Sequence, residues 1–202
     1  RGRGRARAGI GGHLTGGGAG GSARRRVGSA RSASIWWPTV IVARTSSAAA
    51  TAELARALSE LARPADLVLL SGDLGAGKTT FTQGFGRGLG VSEQITSPTF
   101  TLVRSYRGRL GLHHLDVYRL GLEEVHDLGL NELLDEDAVT LIEWGDTIIP
   151  VVGPDRLEIR IRLGDGDDDR VIELEPTGRW ALRERALRVA VAPWVDPEGA
   201  SC

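Results

Sequence analysis

A chain of 202 residues with 41% hydrophobic residues fits one domain plus extra sequence, with a core spread over about 140–150 residues. No run of 18 apolar residues is present, so no segment is expected to span a bilayer as a helix. The single cysteine, Cys202, excludes a disulfide framework and a cysteine-ligated metal, and it fits a reducing, cytoplasmic setting.

The formal net charge of −1 conceals a division. Residues 1–34 hold eight arginines and no acid, so the rest of the chain is distinctly acidic. Gly, Ala and Ser fill most of that head, which therefore buries too little apolar surface to offset the entropy of folding. The expectation is a disordered Arg/Gly-rich tail over residues 1–35, without the apolar stretch of a secretory signal. A solvated tail or a mis-set translation start is the plain reading, and contact with RNA or anionic lipid is the alternative. There is no methionine. All but one of the 25 basic residues are arginine, and the exception is Lys78. Retaining a lone lysine points to a need for a compact ammonium at that place.

In chain order, Trp36–Ala43 reads as a short strand. Ser46-Ser47 offers an N-cap for an Ala-rich helix over 48–62 that ends near Pro64. Asp66–Ser71 is an apolar run of the kind buried on both faces of a parallel sheet. A glycine-rich turn follows, then a helix over 78–88. Phe100–Tyr106 and Leu112–Tyr118 read as strands of a hairpin around Gly108. Leu122–Leu134 is helical in two pieces, and Ala138–Trp144 is a further buried strand carrying an acid. Leu157–Leu163 alternates apolar and charged residues, as a half-exposed strand does, and Arg170–Leu174 repeats the pattern across an acidic turn. Thr177 or Gly178 opens an amphipathic helix over 179–190, and the end beyond Pro193 reads as loose.

The turn Gly72-Asp73-Leu74-Gly75-Ala76-Gly77-Lys78-Thr79 matches the P-loop pattern in full, with an apolar strand before it and a helix after it. Glycines let successive amides converge on phosphate oxygens, and the helix N-terminus adds partial positive charge. Lys78 is then the group that reaches the terminal phosphates, and the Thr79 hydroxyl a magnesium ligand. The whole predicts an α/β fold: a three-layer P-loop NTPase-like domain over 36–176 with a mixed parallel/antiparallel sheet, then a C-terminal helix and loose end over 177–202.

Such a site needs a further acid to hold the metal or position water. Glu143, closing Val139–Ile142, and Asp116, in the strand around His113-His114-Leu115, are both candidates. Ser97-Pro98-Thr99 is either a segment that senses the terminal phosphate or a turn before a strand. His113 and His114, adjacent on a strand, point to opposite faces and make no joint metal site. His126 reads as solvated. Trp144 is either a core residue or a cover for the nucleotide.

Four blocks, GDLGAGKTTFTQGFGRGLG, SPTFTLVRSY, HHLDVYRL and LIEWGD, in this order and spacing resemble the bacterial TsaE family. These are small P-loop ATPases required for making threonylcarbamoyladenosine in tRNA. The resemblance runs from about Ser46 to Val171. It implies ATP and Mg2+ as ligands, with the nucleotide contacting Leu74, Gly75, Ala76, Gly77, Lys78, Thr79 and Thr80. Thr79 and Glu143 would hold the metal, with Lys78, Asp116 and Glu143 as the catalytic set and Trp144 beside the nucleotide. Ser46–Thr51 would lie near the adenine. A late turn at Gly166 would approach the nucleotide, although here it is acidic at Asp165 and Asp167–Asp169.

The resemblance further implies a weak ATPase that serves a TsaD–TsaB transferase pair, with tRNA met only indirectly and with no membrane or DNA partner. The acidic folded part also disfavours direct binding to a phosphate backbone. The alternative is a P-loop kinase acting on a small acceptor, in which Arg104, Arg107 and Arg109 would form a lid.

Overall fold

The computed structural model describes residues 40–98, 102–120, 124 and 137–195, all within the second of two units into which the chain divides, Trp36–Cys202. Seven strands form one sheet: β1 (Ile41–Thr45), β2 (Leu67–Ser71), β3 (Val103–Tyr106), β4 (Gly111–Asp116), β5 (Ala138–Glu143), β6 (Arg156–Leu163) and β7 (Arg170–Pro176). Their order across the sheet is β1-β7-β6-β2-β5-β4-β3. The pairs β2–β5, β2–β6 and β4–β5 are parallel. The pairs β1–β7, β6–β7 and β3–β4 are antiparallel. The mixed α/β sheet expected from the sequence is therefore present.

The apolar run of β2 explains its place at the centre. Val68 and Leu70 enter the larger core, while Leu67 and Leu69 enter a smaller one with Leu115, Val117, Ile142 and Ile148. Successive strand residues face opposite ways, so a strand apolar at every position must be covered on both sides. Helix α1 (Ala48–Ser59) and helix α2 (Lys78–Gly88) cover the larger core through Leu54, Leu58, Phe81 and Phe85. The smaller core lies with a 3-10 segment, Gly145–Val151, that supplies Ile148. Ser47 caps α1 by accepting from the Ala50 amide at 3.0 Å, as its position predicts. Helix α2 lies close to α1 because Gly84 has no side chain: a Cβ there would stand 2.1 Å from the Ala52 carbonyl oxygen.

Several boundaries differ from expectation. Helix α1 ends at Ser59 rather than residue 62, and β5 ends at Glu143, since Trp144 turns into the left-handed region at φ 63°. The last helix is two, α3 (Gly178–Ala181) and α4 (Glu184–Val191), parted at Leu182-Arg183. Their buried Trp180, Leu187 and Val191 belong to the larger core. The interruption serves Arg183, whose guanidinium donates from Nη1 and Nη2 to the two oxygens of Asp66, each at 2.7 Å. It also donates to the Leu61 carbonyl and lies 3.8 Å from the Trp180 ring centroid. The expected helix over Leu122–Leu134, with His126, and the tail 1–35 lie outside the described residues, Glu124 excepted.

Asp66 immediately precedes β2, so this bidentate pair ties the C-terminal helices to the start of the central strand. Removing one partner leaves a buried charge uncompensated. Arg183→Ala should lose about 3–5 kcal/mol in urea unfolding. Arg56→Ala, at the exposed Arg56–Glu53 pair, should change stability by only about 0–1 kcal/mol.

Candidate functional site

Strand β2 runs directly into the turn Gly72–Gly77, and the turn into α2. Gly72, Gly75 and Gly77 have φ of 136°, 81° and 110°, a region that side-chain-bearing residues rarely adopt. Gly77 is the N-cap of α2 and supplies no side-chain cap, so the first amides of the helix are left for another acceptor. Beyond Gly75 and Gly77 an added Cβ would meet nothing within 4 Å, so the loop opens as a cradle on that side. Lys78 is buried in this loop. Its ammonium donates to the carbonyls of Gly72 at 2.7 Å and Asp73 at 2.9 Å, and it sits 3.6 Å from the Trp144 ring centroid. Burial lowers its pKa from the ordinary lysine value, opposed by the negative charges of Glu143, Asp116, Asp146 and Asp73.

The strand register brings both candidate acids to this loop. Glu143 pairs with Leu70 of β2 on one side and with Asp116 of β4 on the other. The P-loop and the two acids thus share the carboxyl edge of three parallel strands, where open α/β sheets place ligands. The Thr79 hydroxyl donates to Glu143 at 3.0 Å (Oε1) and 3.2 Å (Oε2). Asp116 Oδ2 accepts from the Ser97 hydroxyl at 2.9 Å, and Oδ1 from the Tyr118 amide at 3.1 Å. The Asp116 amide donates to the Leu102 carbonyl, and the Leu102 amide to that of Pro98. Ser97 and Leu102 are thereby each fastened to Asp116, while residues 99–101, Thr99 of the expected segment among them, lie outside the described residues.

A cavity of about 560 Å³ joins these groups. It is lined by Leu74, Gly75, Gly77, Lys78, Thr79 and Thr80 from the loop and helix, and by Ser97, Asp116, Tyr118, Arg119, Glu143 and Trp144 from the strand ends. Ala76 is fully buried behind the loop and borders a small separate cavity with Thr51, Asp168 and Arg170. Gly166, expected to approach the nucleotide, does not line the main cavity. Its amide donates to Asp169 within its own turn, and the loop is met instead by Arg170, whose Nε donates to the Ala76 carbonyl at 2.8 Å. Of the expected Ser46–Thr51 segment, Ala48 and Thr51 border the small cavity behind the loop, and Ser46 lines a further cavity with Gly164, Asp165 and Arg170. Of the three arginines that the kinase alternative would use as a lid, Arg104 donates to Thr96 and Arg109 to the Ser59 carbonyl, and neither they nor Arg107 line the main cavity.

Four residues beside the site had no role assigned to them in the sequence reading. Tyr118 tilts against Trp144 with ring centroids 4.7 Å apart, Arg119 lines the wall, Asp146 acts on Lys78 by its charge, and His114 contacts Glu143. His113 points to the other side, to Ser105, as strand alternation requires. The two-residue spacing from His114 to Asp116 is the signal that was available, because it puts both on one face of β4.

Among the described residues no three His, Cys, Asp or Glu side chains gather as a metal-holding group. The Thr79 hydroxyl and one Glu143 carboxylate suit a hard cation that takes its remaining oxygens from phosphate and water, as magnesium does. The glycine cradle, the lone ammonium and this donor pair therefore fit a Mg2+–nucleoside triphosphate.

A family model described as threonylcarbamoyl adenosine biosynthesis protein TsaE matches residues 45–172. The chain belongs to the TsaE family. The protein named tRNA threonylcarbamoyladenosine biosynthesis protein TsaE from Bacillus subtilis (strain 168) is 43% identical over 136 residues, covering 67% of this chain and 85% of that one. The protein of the same name from Streptomyces coelicolor is 48% identical over 142 residues, covering 65% and 95%. The crystal structure of Bacillus subtilis YdiB superposes with a TM-score of 0.66 at 37% identity, covering 75% of this chain and 95% of that one. The family match takes in the P-loop, both acids and the acidic turn, and stops before α3 and α4.

At Gly72 a Cβ would fall 2.1 Å from the Ile161 carbonyl oxygen as well as forcing a side chain into φ 136°. Gly72→Ala should therefore cost at least about 1–3 kcal/mol in urea unfolding. Gly153→Ala, where an added Cβ meets nothing, should stay within about 0.5 kcal/mol.

Proposed function

We propose that this chain binds ATP with Mg2+ at the Gly72–Thr79 loop and hydrolyses it slowly, as an accessory in the biosynthesis of threonylcarbamoyladenosine in tRNA. The observation that carries the reading is the Thr79–Glu143 contact beside Lys78, which joins residues 64 positions apart at the mouth of a P-loop. Membership of the TsaE family supplies the pathway. The loop amides and Lys78 would hold the phosphates, and the Thr79 hydroxyl and Glu143 carboxylate the metal. Bound there, magnesium supplies charge neutralisation on the terminal phosphates. Asp116, fixed by Ser97 and the Tyr118 amide, is the acid we assign to orienting the attacking water.

The partners are TsaD-like and TsaB-like proteins, with tRNA met through them, in the cytoplasm. Among the described residues no helix is long and apolar enough to cross a membrane. A kinase acting on a small acceptor needs several arginines over the phosphates. Arg119 is the one described arginine that lines the cavity, which favours hydrolysis over transfer.

ATP turnover should be slow for the purified chain and should rise when purified TsaD and TsaB from the same source are added; no stimulation and no complex would overturn the accessory role. Lys78→Ala removes a charge-assisted contact of about 1.5–3 kcal/mol, so calorimetric ATP affinity should fall roughly 10- to 100-fold. An unchanged affinity would defeat the P-loop assignment itself.

A further inference from the structure

His114 is fully buried on β4, two residues before Asp116 and therefore on the same face of the strand. Its Nε2 lies 2.9 Å from Glu143 Oε1. An ionised carboxylate only accepts hydrogen bonds, so the shared proton belongs to the ring and His114 is the donor. Its Nδ1 has no hydrogen-bond partner among the described residues, so the ring makes a single polar contact, the one to Glu143. A buried imidazole with one ring nitrogen unpartnered is costly to keep for packing alone. A leucine of similar size would fill the volume without that cost.

The contact has a geometric effect on the acid. Oε1 already accepts from the Thr79 hydroxyl at 3.0 Å, and the same hydroxyl lies 3.2 Å from Oε2. With His114 added, Oε1 is held from two elements, β4 and α2. Two donors on one oxygen fix the rotation of the carboxylate, and Oε2, reached among the described residues only by the Thr79 hydroxyl, keeps acceptor capacity at the cavity. We infer that His114 is a positioning residue that orients the Glu143 carboxylate for a divalent cation, through its Nε2–H donated to Oε1. Outer groups of this kind typically set the affinity of a metal site by 10- to 100-fold without touching the metal. The inference rests on the proposed Mg2+–nucleotide site, whose own failure would show separately as loss of nucleotide binding by the unaltered chain.

The test measures Mn2+ binding to the full chain saturated with ADP, read as loss of the free Mn2+ electron paramagnetic resonance signal. ADP affinity in EDTA and far-ultraviolet circular dichroism are measured on the same samples. His114→Leu should weaken Mn2+ binding about 10- to 100-fold, with a far smaller change in metal-free ADP affinity. His114→Gln, whose amide nitrogen can reach the place of Nε2, should recover most of the loss, and His114→Asn, which is shorter, should not. Tight Mn2+ binding by His114→Leu would overturn the inference. So would equal losses of Mn2+ and metal-free ADP binding across all three variants, since that is the pattern of a packing role. If His114→Leu does not fold, the Gln and Asn pair decides: equal Mn2+ affinities refute the positioning role, and tighter binding by Gln supports it.

Discussion

The site depends on one buried carboxylate. Glu143 is only 3% exposed, and an ionised acid so far from water is tolerated only when other groups replace its hydration. Its donors come from two different elements, Thr79 at the start of α2 and His114 on β4. They can meet only if β2, β5 and β4 keep the register that sets Leu70, Glu143 and Asp116 side by side. A slip of one residue would turn Glu143 to the opposite face and Asp116 away from the loop. The apolar alternation of β2 and β5 between two cores resists that slip, since every misplaced residue would have to change core. Stability of the sheet and geometry of the site are in this respect a single property.

The electrostatic surroundings of the loop are unusual for a place read as a phosphate site. One ammonium, Lys78, is set among Asp73, Asp116, Glu143 and Asp146. The turn after β6 adds Asp168 at the small cavity behind the loop. Arg170 does not reverse this balance at the main cavity. Its guanidinium is spent on backbone carbonyls, those of Ala76, Asp167 and Asp169, so it braces the P-loop against the acidic turn. A triphosphate entering such surroundings brings more negative charge. The arrangement is consistent with a polyanion that arrives with its own divalent cation, and it gives Glu143 and Asp116 a reason to be there beyond the fold.

How far the sequence could be read follows from which forces act locally. The glycine-rich turn between strand and helix was plain because its glycines and flanking elements are set by backbone geometry within a few residues. Helix α2 matches its expected limits for the same reason. The pairing of Asp116 with Glu143 was accessible only as two separate candidates, because strand order, which makes them neighbours, is a property of the whole sheet. His114 was set aside for a sound reason, that His113 and His114 cannot share a metal. That reasoning addressed the pair and left open what each ring does singly. The break at Leu182-Arg183 was hidden because helical periodicity records the apolar face and says nothing of an arginine drawn to Asp66, over a hundred residues earlier. The internal closure of the late turn, Gly166 on its own Asp169, is likewise a contact that the sequence pattern does not record.

Two residues near the cavity hold backbone conformations that local preference opposes. Leu102 and Trp144 both have φ of 63°, and neither is a glycine. Each such residue costs on the order of 1–3 kcal/mol, so the surroundings must hold it in place. Trp144 follows Glu143 directly, and its turn out of β5 carries the indole back over Lys78, where Tyr118 flanks it. Leu102 is held by the Pro98 carbonyl on one side and the Asp116 amide on the other. Each departure thus sits next to one of the two acids, at the strand ends where the P-loop is met. Of the three described non-glycine residues at positive φ, Ala65 stands just before β2, while Leu102 and Trp144 stand beside Asp116 and Glu143, with Leu102 held against Asp116 and the indole over the ammonium of Lys78.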